Sequence, residues 1–436
     1  MNRRDFLTKA ATLGVGMTAS PYIIRGANFG VGASDKVTVG VIGCNGQGFE
    51  DLKAFLKNPG VECVALADVD SNVLERRAAD TEKLQGKKVK HLYKDWRKLI
   101  DDKDIDVVII GTPDHWHCLQ MVGACQEGKD VFCEKPLANS IEECNIMVRA
   151  AKKYNRVVQV GQWQRSDPHW QDAVNFVHSG ALGKIRTVRV FSYQGWMPSI
   201  PVKADCPVPE GVDYDMWLGP APLRPFNPNR FHFTFRWFWD YAGGLMTDWG
   251  VHLLDYALYG MNVTTPRSIM ATGGKYGYPD DACETPDLLQ TIYDFDGFTV
   301  LWDHAIGIDD GAYGRSHGVA YVGENGTLVV DRNGWEVIPE RVNGVPRMEA
   351  VPLHKAYGGG GLNLHAKNHL ECIKSRNPNC NASIEIGAHI AKFAHLGNVA
   401  YRTGKKLYWD GKSFNDAEAD AYLCKTYRAP WALPTI

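Results

Sequence analysis

The chain has 436 residues, of which 44% are hydrophobic and 22% are charged, and its formal net charge is -2. This length is enough for one large or two medium-sized domains, each with its own core. The nearly balanced charge and the absence of a long basic run give no electrostatic reason to expect nucleic acid or an anionic membrane surface as a partner. We therefore expect a soluble globular protein with neither of these partners.

The first residues carry a pattern typical of an export signal. Arg3 and Arg4 precede an apolar stretch that runs to about Ala19, as in twin-arginine signals. The stretch is shorter than the roughly 20 apolar residues that a spanning helix needs. We expect residues 1–34 to be a signal peptide and leader, cleaved between Ser20 and Asp35, and the mature protein to be periplasmic or otherwise exported. The alternative is an ordinary amphipathic helix that begins the fold.

The 11 cysteines are scattered singly along the chain, without a CxxC pair. Most of them lie in apolar strand or helix patterns, which favours buried free thiols over a disulfide framework. Cys206 and Cys283 fall in predicted loops and are the candidates for a bridge.

Short apolar runs alternate with helical patterns in the first part of the chain. The runs cover residues 36–43, 62–67, 106–110, 130–133 and 157–161. Helical spacing follows them, for example over residues 48–57 and 115–127. Continuously apolar strands separated by helices predict a Rossmann-type doubly wound parallel sheet, and we assign residues 35–163 to this nucleotide-binding domain.

The first predicted strand leads into a glycine-rich turn, Gly-Cys-Asn-Gly-Gln-Gly at residues 43–48. In the GxGxxG pattern of dinucleotide sites, Gly43 and Gly48 take the first and third glycine positions and Asn45 takes the second. Asparagine tolerates left-handed backbone angles, and Gly46 lets a pyrophosphate approach the helix amino terminus. We therefore assign cofactor contacts to Gly43, Asn45, Gly46, Gln47 and Gly48.

Asp68 ends the second predicted strand, roughly 20 residues beyond the turn. A carboxylate there can accept hydrogen bonds from the ribose hydroxyls of an adenosine, and its charge repels a 2′-phosphate. The cofactor is therefore expected to be NAD rather than NADP. We expect it to be tightly bound, since twin-arginine transport moves folded proteins. The alternative role of Asp68 is a helix cap.

Lys135 lies in the sequence Glu134-Lys135-Pro136, directly after the apolar run 130–133. Ligands of an open parallel sheet bind beyond the carboxyl ends of its strands. Glu134 and Lys135 are thus predicted to face the crevice in which the dinucleotide lies. A solvated surface pair is the alternative.

The pattern changes near Gly183 to longer strands with alternating character, over residues 185–193, 288–302 and 318–330. These strands are close in sequence and lack long crossovers, which favours a largely antiparallel sheet. We assign residues 164–436 to a C-terminal α/β domain for substrate binding and oligomerisation, with a large open, mostly antiparallel sheet.

A second chemical motif lies in this half. If a helix starts at Thr247 or Asp248, then Asp248 and His252 stand four residues apart on one face, with Asp255 one turn further. A carboxylate beside an imidazole raises the pKa of the histidine and orients the ring for proton transfer. The alternatives are a helix cap beside a core histidine, or a metal site. No further ligand is evident nearby, so we predict no metal.

Together these motifs resemble the Gfo/Idh/MocA oxidoreductase family over essentially the whole mature chain, and residues 217–222, 243–255 and 427–431 are similar to an exported branch of it. The resemblance rests on the glycine turn with the strand before it, Asp68, the stretch Thr-Pro-Asp-His-Trp-His at residues 112–117, Glu134-Lys135-Pro136, and Asp248 with His252. It implies a dinucleotide-binding domain followed by an α/β domain whose open sheet often mediates dimers or tetramers. We accordingly expect a homodimer or homotetramer.

The resemblance also implies roles for individual residues. The catalytic residues would be Lys135, Asp248 and His252. Further cofactor contacts would come from Thr112, Pro113, His117, Glu134, Lys135 and Gln164. Substrate contacts would come from Trp163 and Arg165 together with the three catalytic residues. For Trp163, Gln164 and Arg165 an ordinary role at the end of a strand is equally open.

The leading functional hypothesis is an NAD-dependent oxidoreductase acting on a CH–OH group of a sugar, glycoside or related polyol. His252 would take the hydroxyl proton while Lys135 polarises the same oxygen, or the two roles would be exchanged. The family also includes glycosidases that use NAD transiently, and this is the first alternative. The second is a non-catalytic binding protein stabilised by NAD.

Overall fold

The computed structural model describes residues 36–358 and 360–436. The predicted twin-arginine signal and leader, residues 1–34, lie outside this range. Within it, no helix combines the length and the apolarity that crossing a membrane requires.

The first half forms a six-stranded sheet whose neighbouring strands are all parallel. The strands are β1 (Val37–Ile42), β2 (Val61–Ala67), β3 (His91–Tyr93), β4 (Val107–Ile110), β5 (Asp130–Cys133) and β6 (Val158–Val160). Their order is β3-β2-β1-β4-β5-β6. The helices between them are α1 (Gly46–Leu56), α2 (Ser71–Gln85), α3 (Trp96–Asp101), α4 (His117–Gln126) and α5 (Ile141–Lys153). The predicted doubly wound parallel sheet is confirmed.

Two apolar clusters cover the two faces of this sheet, because successive strand residues point to opposite sides. Val107 and Ile109 of β4 pack with Phe55 of α1. Their neighbours Val108 and Ile110 belong to a separate cluster that includes residues of α4 and α5. Burial on both faces explains why these strands read as continuous apolar runs.

The second half follows α6 (Pro168–His178) and contains an eight-stranded mixed sheet. Its strands are β7 (Ile185–Gln194), β8 (Ser268–Gly274), β9 (Leu288–Asp294), β10 (Thr299–Ile306), β11 (His317–Gly323), β12 (Gly326–Asp331), β13 (Gly334–Pro339) and β16 (Val351–Lys355). The order is β16-β13-β12-β11-β7-β10-β9-β8, and β7 with β10 is the parallel pair. A separate hairpin joins β14 (Arg341–Val342) to β15 (Val345–Pro346). The sheet is largely antiparallel, as predicted.

Two runs that were predicted as single strands are hairpins. Residues 288–302 fold back at Gly297, whose φ of 86° suits a turn, so that β9 pairs with β10. Residues 318–330 fold back at Glu324 and Asn325, so that β11 pairs with β12. Alternation alone cannot locate such a reversal, because both arms keep the same period.

The remaining helices are α7 (Tyr214–Leu218), α8 (Gly244–Asp248), α9 (Gly250–Met261), α10 (Gly361–Ser375), α11 (Ile384–Thr403) and α12 (Ala417–Asp420). Residues of α9 and α11 pack on one face of the eight-stranded sheet. Ile292 of β9 and Met270 of β8 are exposed on the other face. This second sheet is therefore open on one side at β8 and β9 in the isolated chain.

The last two long helices also contact the first sheet. Ala366 and Leu370 of α10 belong to the cluster with Phe55, and Ile384 and Ala388 of α11 belong to the cluster on the opposite face. Arg376, which follows α10, donates to both carboxylate oxygens of Asp130 at the start of β5. Late residues of the chain thus complete the core that early residues begin.

All 11 cysteines are free, and eight of them are buried. Cys206 is exposed and Cys283 is half-buried, and no disulfide joins them. The predicted buried thiols are confirmed, and the candidate bridge is absent.

Candidate active site

A cavity of ≈ 700 Å³ opens at the carboxyl edge of the parallel sheet. One wall consists of residues that directly follow strands, among them Gly43 after β1, Asp68 after β2 and Glu134 after β5. The opposite wall comes from the second half of the chain and includes Asp248 and His252. The cavity therefore lies where an open parallel sheet binds its ligands.

The glycine turn forms one end of this cavity. Gly43 has a φ of 76°, and a Cβ there would lie 2.8 Å from the backbone nitrogen of Thr112. A Cβ on Gly48 would overlap the carbonyl oxygen of Gly43, so Gly48 allows α1 to approach β1 closely. Gly46 has a φ of 47° with open space above it. The left-handed angle thus falls on Gly46, whereas Asn45, expected to tolerate it, is extended at the helix N-cap.

Asp68 lies at the same end of the cavity. Its two carboxylate oxygens accept hydrogen bonds from the backbone nitrogens of Cys44 (3.0 Å) and Asp70 (3.0 Å), which fix its orientation. Burial raises the pKa of Asp68, although these two bonds oppose the effect. A carboxylate offers about four acceptor sites, so hydroxyl groups of a ligand can still be bound.

Arg77 of α2 also lines this end and was not predicted from the sequence. Its guanidinium lies 4.1 Å from the ring centroid of Phe49 and donates to Asn45 Oδ1 at 3.2 Å. It places positive charge beside the glycine turn, where a pyrophosphate would bind. One arginine in a polar helix carries no local signal for this role.

At the other end, Lys135 and Asp248 form a partly buried ion pair. Lys135 Nζ lies 2.7 Å from Asp248 Oδ1 and 3.0 Å from its carbonyl oxygen. Arg236 Nε donates to the same Oδ1 at 3.2 Å. Burial alone would raise the pKa of Asp248, but the charges of Lys135 and Arg236 outweigh it, and the pKa lies well below its usual range. Asp248 is therefore a carboxylate that holds two cations, of which Arg236 was not predicted.

The prediction that Asp248 pairs with His252 and raises the pKa of its imidazole is wrong. Helix α8 ends at Asp248 and α9 starts at Gly250, and the Asp248 carboxylate is held by the two cations. His252 Nδ1 is buried without a hydrogen-bond partner. Burial, then the charges of Lys135 and Arg332, lower the pKa of His252 well below its usual value, and Asp248 offsets only part of this. His252 is consequently a neutral imidazole, and the same surroundings make it a weaker base than a free histidine.

Glu134 lines the cavity beside this group. Its Oε2 accepts from the backbone nitrogen of Lys135 (3.2 Å), and its carboxyl also interacts with the buried carboxyl of Asp51. Burial raises its pKa to about 7, although Lys135 opposes the shift. A Cβ on Gly161 would overlap this side chain, so only glycine fits at that position. Near pH 7 Glu134 can therefore either donate or accept a hydrogen bond to a ligand.

Twelve of the predicted residues line the cavity, and four do not: Gly48, His117, Gln164 and Arg165. The ring of His117 lies 2.9 Å from the carbonyl oxygens of both Thr112 and Pro136, and so joins the loops after β4 and β5. Gln164 Nε2 donates to the carbonyl oxygen of His252 at 3.2 Å. The Arg165 guanidinium is held by the buried carboxylate of Asp255, 2.8 Å from Nε to Oδ1. These side chains support the wall instead of facing the cavity.

Trp163 and Arg165 were predicted to contact substrate. Trp163 does line the cavity, but the arginine that lines it there is Arg332 and not Arg165. Arg332 follows β12 and comes into the site from the second sheet, so its sequence neighbours carry no sign of this position. Among the described residues, one group is spaced for a metal ion, His91 with Asp102 and Asp104, and it does not line the cavity.

Comparison with family models matches two regions of the chain. Residues 37–162 match the oxidoreductase family model described as an NAD-binding Rossmann fold, and residues 171–328 match the C-terminal α/β domain of the same family. The chain belongs to the Gfo/Idh/MocA oxidoreductase family. Its amino-terminal domain is the NAD-binding domain of that family.

Individual relatives agree with this membership. Levoglucosan dehydrogenase of Pseudarthrobacter phenanthrenivorans is 41% identical over 102 residues, which cover 23% of this chain and 26% of the relative. Inositol 2-dehydrogenase of Salmonella paratyphi B is 33% identical over 147 residues, 33% of this chain and 42% of the relative. The aligned segments thus span from about a quarter to about half of the curated relatives.

A solved structure shows the same fold over a longer range. Levoglucosan dehydrogenase in complex with NADH and levoglucosan superposes with a TM-score of 0.63 at 21% identity, covering 86% of this chain and 99% of the other. At this identity the likeness establishes the fold of both halves.

The residues at the adenosine end fit NAD. The face above Gly46 is open, the amino terminus of α1 points at this space, and Asp68 supplies acceptors beside it. Thr112 and Pro113 line the middle of the cavity, and Glu134 and Lys135 line its far end. These are the residues that would hold the cofactor.

Proposed function

We propose that this protein is an NAD-dependent oxidoreductase that acts on a hydroxyl-bearing carbon of a sugar, glycoside or related polyol. The observation that carries the proposal is the meeting of Lys135, Asp248 and His252 in one cavity with the glycine turn and Asp68. Asp68 and Lys135 follow β2 and β5, which are three strands apart, or about 14 Å. This separation leaves room for an extended dinucleotide between the two ends.

Bound NAD would supply the redox chemistry, accepting or returning a hydride at the carbinol carbon. The side chains of the protein transfer the proton. Lys135 keeps an N–H free beyond its two bonds to Asp248, so Nζ can donate to the substrate oxygen. His252 can accept the hydroxyl proton because its imidazole is neutral. Asp248 holds Lys135 in place and balances its charge.

The relatives support the substrate class. Two matched proteins are named as dehydrogenases of levoglucosan and of inositol, a sugar anhydride and a polyol. Trp163 and Trp249 line the catalytic end and supply apolar surface for a sugar ring beside Arg332, which stacks on one face of each.

The test begins with the purified mature protein. Its cofactor is extracted and identified by mass, and a panel of sugars, glycosides and polyols is then followed at the absorbance of the reduced nicotinamide. We expect NAD and a substrate-dependent reduction. Lys135→Met and His252→Asn should each lower kcat/KM by on the order of 10²–10⁴, since each removes a proton-transfer group.

The matched control is Lys98→Met, because Lys98 is exposed and does not line the cavity. It should retain wild-type kinetics. Absence of nicotinamide binding, or unchanged rates in both cavity variants, would refute the proposed function.

A second candidate is a glycosidase that uses NAD transiently, with no net redox change. One observation favours it. The Asp114 carboxyl lines the cavity, and burial raises its pKa to about 8, against the charges of Arg236 and Lys135. A carboxyl that keeps its proton at neutral pH can protonate a leaving group. Release of an aglycone without net nicotinamide reduction, lost in Asp114→Asn, would establish this function instead.

We propose further that the protein is exported by the twin-arginine route. The support is the order of Arg3, Arg4 and the following apolar stretch. Replacing both arginines by lysine should leave the full-length protein in the cytoplasm, as measured by fractionation and immunoblotting of the native host. Unchanged export would contradict this assignment.

We also propose a homodimer or homotetramer that uses the open face of the second sheet, where Met270 and Ile292 are exposed. Light scattering coupled to size-exclusion chromatography should give two or four times the mass of the mature chain. A double variant, Met270→Lys with Ile292→Lys, should lower that mass.

A further inference from the structure

Arg332 is the cation that best indicates what the cavity recognises. It follows β12 in the hairpin to β13 and lies between two tryptophans. Its guanidinium carbon is 5.0 Å from the ring centroid of Trp163 and 4.4 Å from that of Trp249. Its Nε donates to Gln164 Oε1 at 3.0 Å. The rings and this bond hold the guanidinium plane in one orientation.

In the described part of the chain, no Asp or Glu lies within ion-pair distance of Arg332. Other arginines with little exposure are paired: Arg165 with Asp255, and Arg315 with Asp331 and Glu336. Burial lowers the pKa of Arg332 to about 10, and the more distant charge of Asp248 only partly opposes this. Holding a half-buried cation without an anionic partner costs stability, and a ligand that brings an anion recovers that cost.

The position of Arg332 assigns this anion to the substrate. Gln164, which accepts from Arg332, donates through its Nε2 to the carbonyl oxygen of His252 at 3.2 Å. The rings of Trp163 and Trp249 also face the His252 ring, at 6.4 and 6.5 Å between centroids. Arg332 therefore lies beside the catalytic imidazole. The pyrophosphate of a dinucleotide would lie at the glycine turn, at the other end of the cavity.

We propose that the substrate is a sugar acid, with a carboxylate that Arg332 binds through the terminal nitrogens of its guanidinium. This inference rests on the proposed function and narrows its substrate class to uronic or aldonic acids and their glycosides. The planar guanidinium matches a planar carboxylate with two parallel hydrogen bonds. Lys135 and Arg236 are already engaged by Asp248, so they do not replace Arg332 in this role. A neutral sugar would leave Arg332 unpaired.

The test compares matched substrate pairs that differ only at C6: methyl glucoside with methyl glucuronide, and methyl galactoside with methyl galacturonide. In the wild-type enzyme we expect kcat/KM for the acid of at least one pair to exceed that for the neutral sugar by roughly 10- to 100-fold. This ratio corresponds to the free energy of a hydrogen bond to a charged group. In Arg332→Met this ratio should fall to about one or below. Arg332→Lys, which keeps the charge and loses the planar fork, should give an intermediate ratio.

The matched control is Arg341→Met, since Arg341 is an exposed arginine of the β14–β15 hairpin outside the cavity. It should keep the wild-type ratio. Thermal unfolding shows whether each variant is folded, and calorimetric titration of the NADH-loaded protein with methyl glucuronide and methyl galacturonide measures binding without turnover. We expect the binding to weaken with salt and in Arg332→Met.

The outcomes separate this inference from the proposed function. If neutral sugars reduce the bound nicotinamide and the acids are no better, the inference fails while the proposed function stands. If no sugar of either kind reacts, the proposed function itself fails. A 6-sulfated glycoside that reacts faster than the matching uronide would overturn the carboxylate and assign the anion to a sulfate ester.

Discussion

Asp248 organises the charges at the catalytic end by holding Lys135 and Arg236 at one carboxylate oxygen. His252 is left without a carboxylate partner and stays neutral. A neutral base beside a fixed ammonium group suits the removal of a hydroxyl proton, because the ammonium stabilises the developing negative oxygen. Lys135, which Asp248 positions, is thus the hydrogen-bond donor, and His252, which burial keeps uncharged, is the proton acceptor.

Glu134 should make the stability of the protein depend on pH. Its pKa is about 7 in the folded protein, and a glutamate in an unfolded chain has a pKa of about 4.3. The folded state therefore binds the proton more tightly, and the stability that Glu134 contributes is present below about pH 4.3 and lost as the pH rises through 7. Glu134→Gln cannot ionise, so it should gain stability relative to the wild type between pH 5 and 8.

Urea denaturation of both proteins at several pH values measures this difference. Glu75→Gln serves as the control, because Glu75 is exposed on α2. Parallel pH profiles for the wild type and Glu134→Gln would contradict the proposed protonation of Glu134.

Asp68 should set the preference for NAD. Asp68→Asn removes the charge and is expected to weaken NADH binding by about 10- to 100-fold, as for loss of a hydrogen bond to a charged group. It should also reduce the discrimination against NADPH, because the repulsion of a 2′-phosphate is gone and Arg77 lines the same end. Fluorescence titration with both reduced cofactors measures the two effects. The exposed Asp104→Asn should leave both affinities unchanged.

For single residues, the sequence predicted which side chains lie in the site better than it predicted their hydrogen-bond and ion-pair partners. Lys135, Asp248 and His252 do meet in the cavity, but spacing on a helix suggested a bond between the last two that the structure does not contain. Arg332 was missed because it comes from a segment distant along the chain. Arg236 was missed because it belongs to no local motif, although it lies only 12 residues before Asp248. Pairings of this kind depend on how the second half packs against the first.

Among the elements, the glycine turn combines two different constraints. Gly48 lacks a side chain because α1 packs against the Gly43 carbonyl, which is a matter of packing. Gly46 has a positive φ and faces open space, which is a matter of backbone angle and ligand access. The GxGxxG pattern located the turn. Its middle glycine stands one position later, at Gly46, and the left-handed backbone angle is found there.

Alanine substitutions should separate these constraints. Gly48→Ala forces a Cβ onto backbone atoms and should destabilise the protein by about 1–3 kcal/mol or more. Gly46→Ala should cost only about 1–2 kcal/mol for its backbone angle, yet weaken NADH binding, because its Cβ enters the cofactor space. Urea denaturation and fluorescence titration give the two quantities.

Gly86→Ala is the matched control for Gly46→Ala. Gly86 also has a positive φ, 68°, with nothing within 4 Å of the position that a Cβ would take, and it does not line the cavity. It should lose similar stability and keep full cofactor affinity. Equal loss of affinity in both variants would mean that Gly46 does not approach the cofactor.

Over the whole molecule, the sequence predicted both sheets and their types, since parallel strands buried on two faces and alternating strands exposed on one have different patterns. It could not predict that α10 and α11 complete the first core. Leu370 and Ala388 read as ordinary apolar residues of amphipathic helices, and no local pattern tells which sheet such a helix covers. Residues 36–436 accordingly form one compact unit.

This arrangement predicts that residues 36–163 do not form a stable domain alone. Without α10 and α11, the clusters around Phe55 and Ala150 would expose apolar surface that Leu370 and Ala388 cover in the whole chain. Asp130 would also lose Arg376. We expect the fragment to bind NADH poorly and to lack a cooperative thermal transition by circular dichroism, whereas residues 36–436 should unfold in one transition that NADH shifts upward. A fragment that melts cooperatively and binds NADH as the full chain does would show that the first sheet is stable without the carboxy-terminal helices.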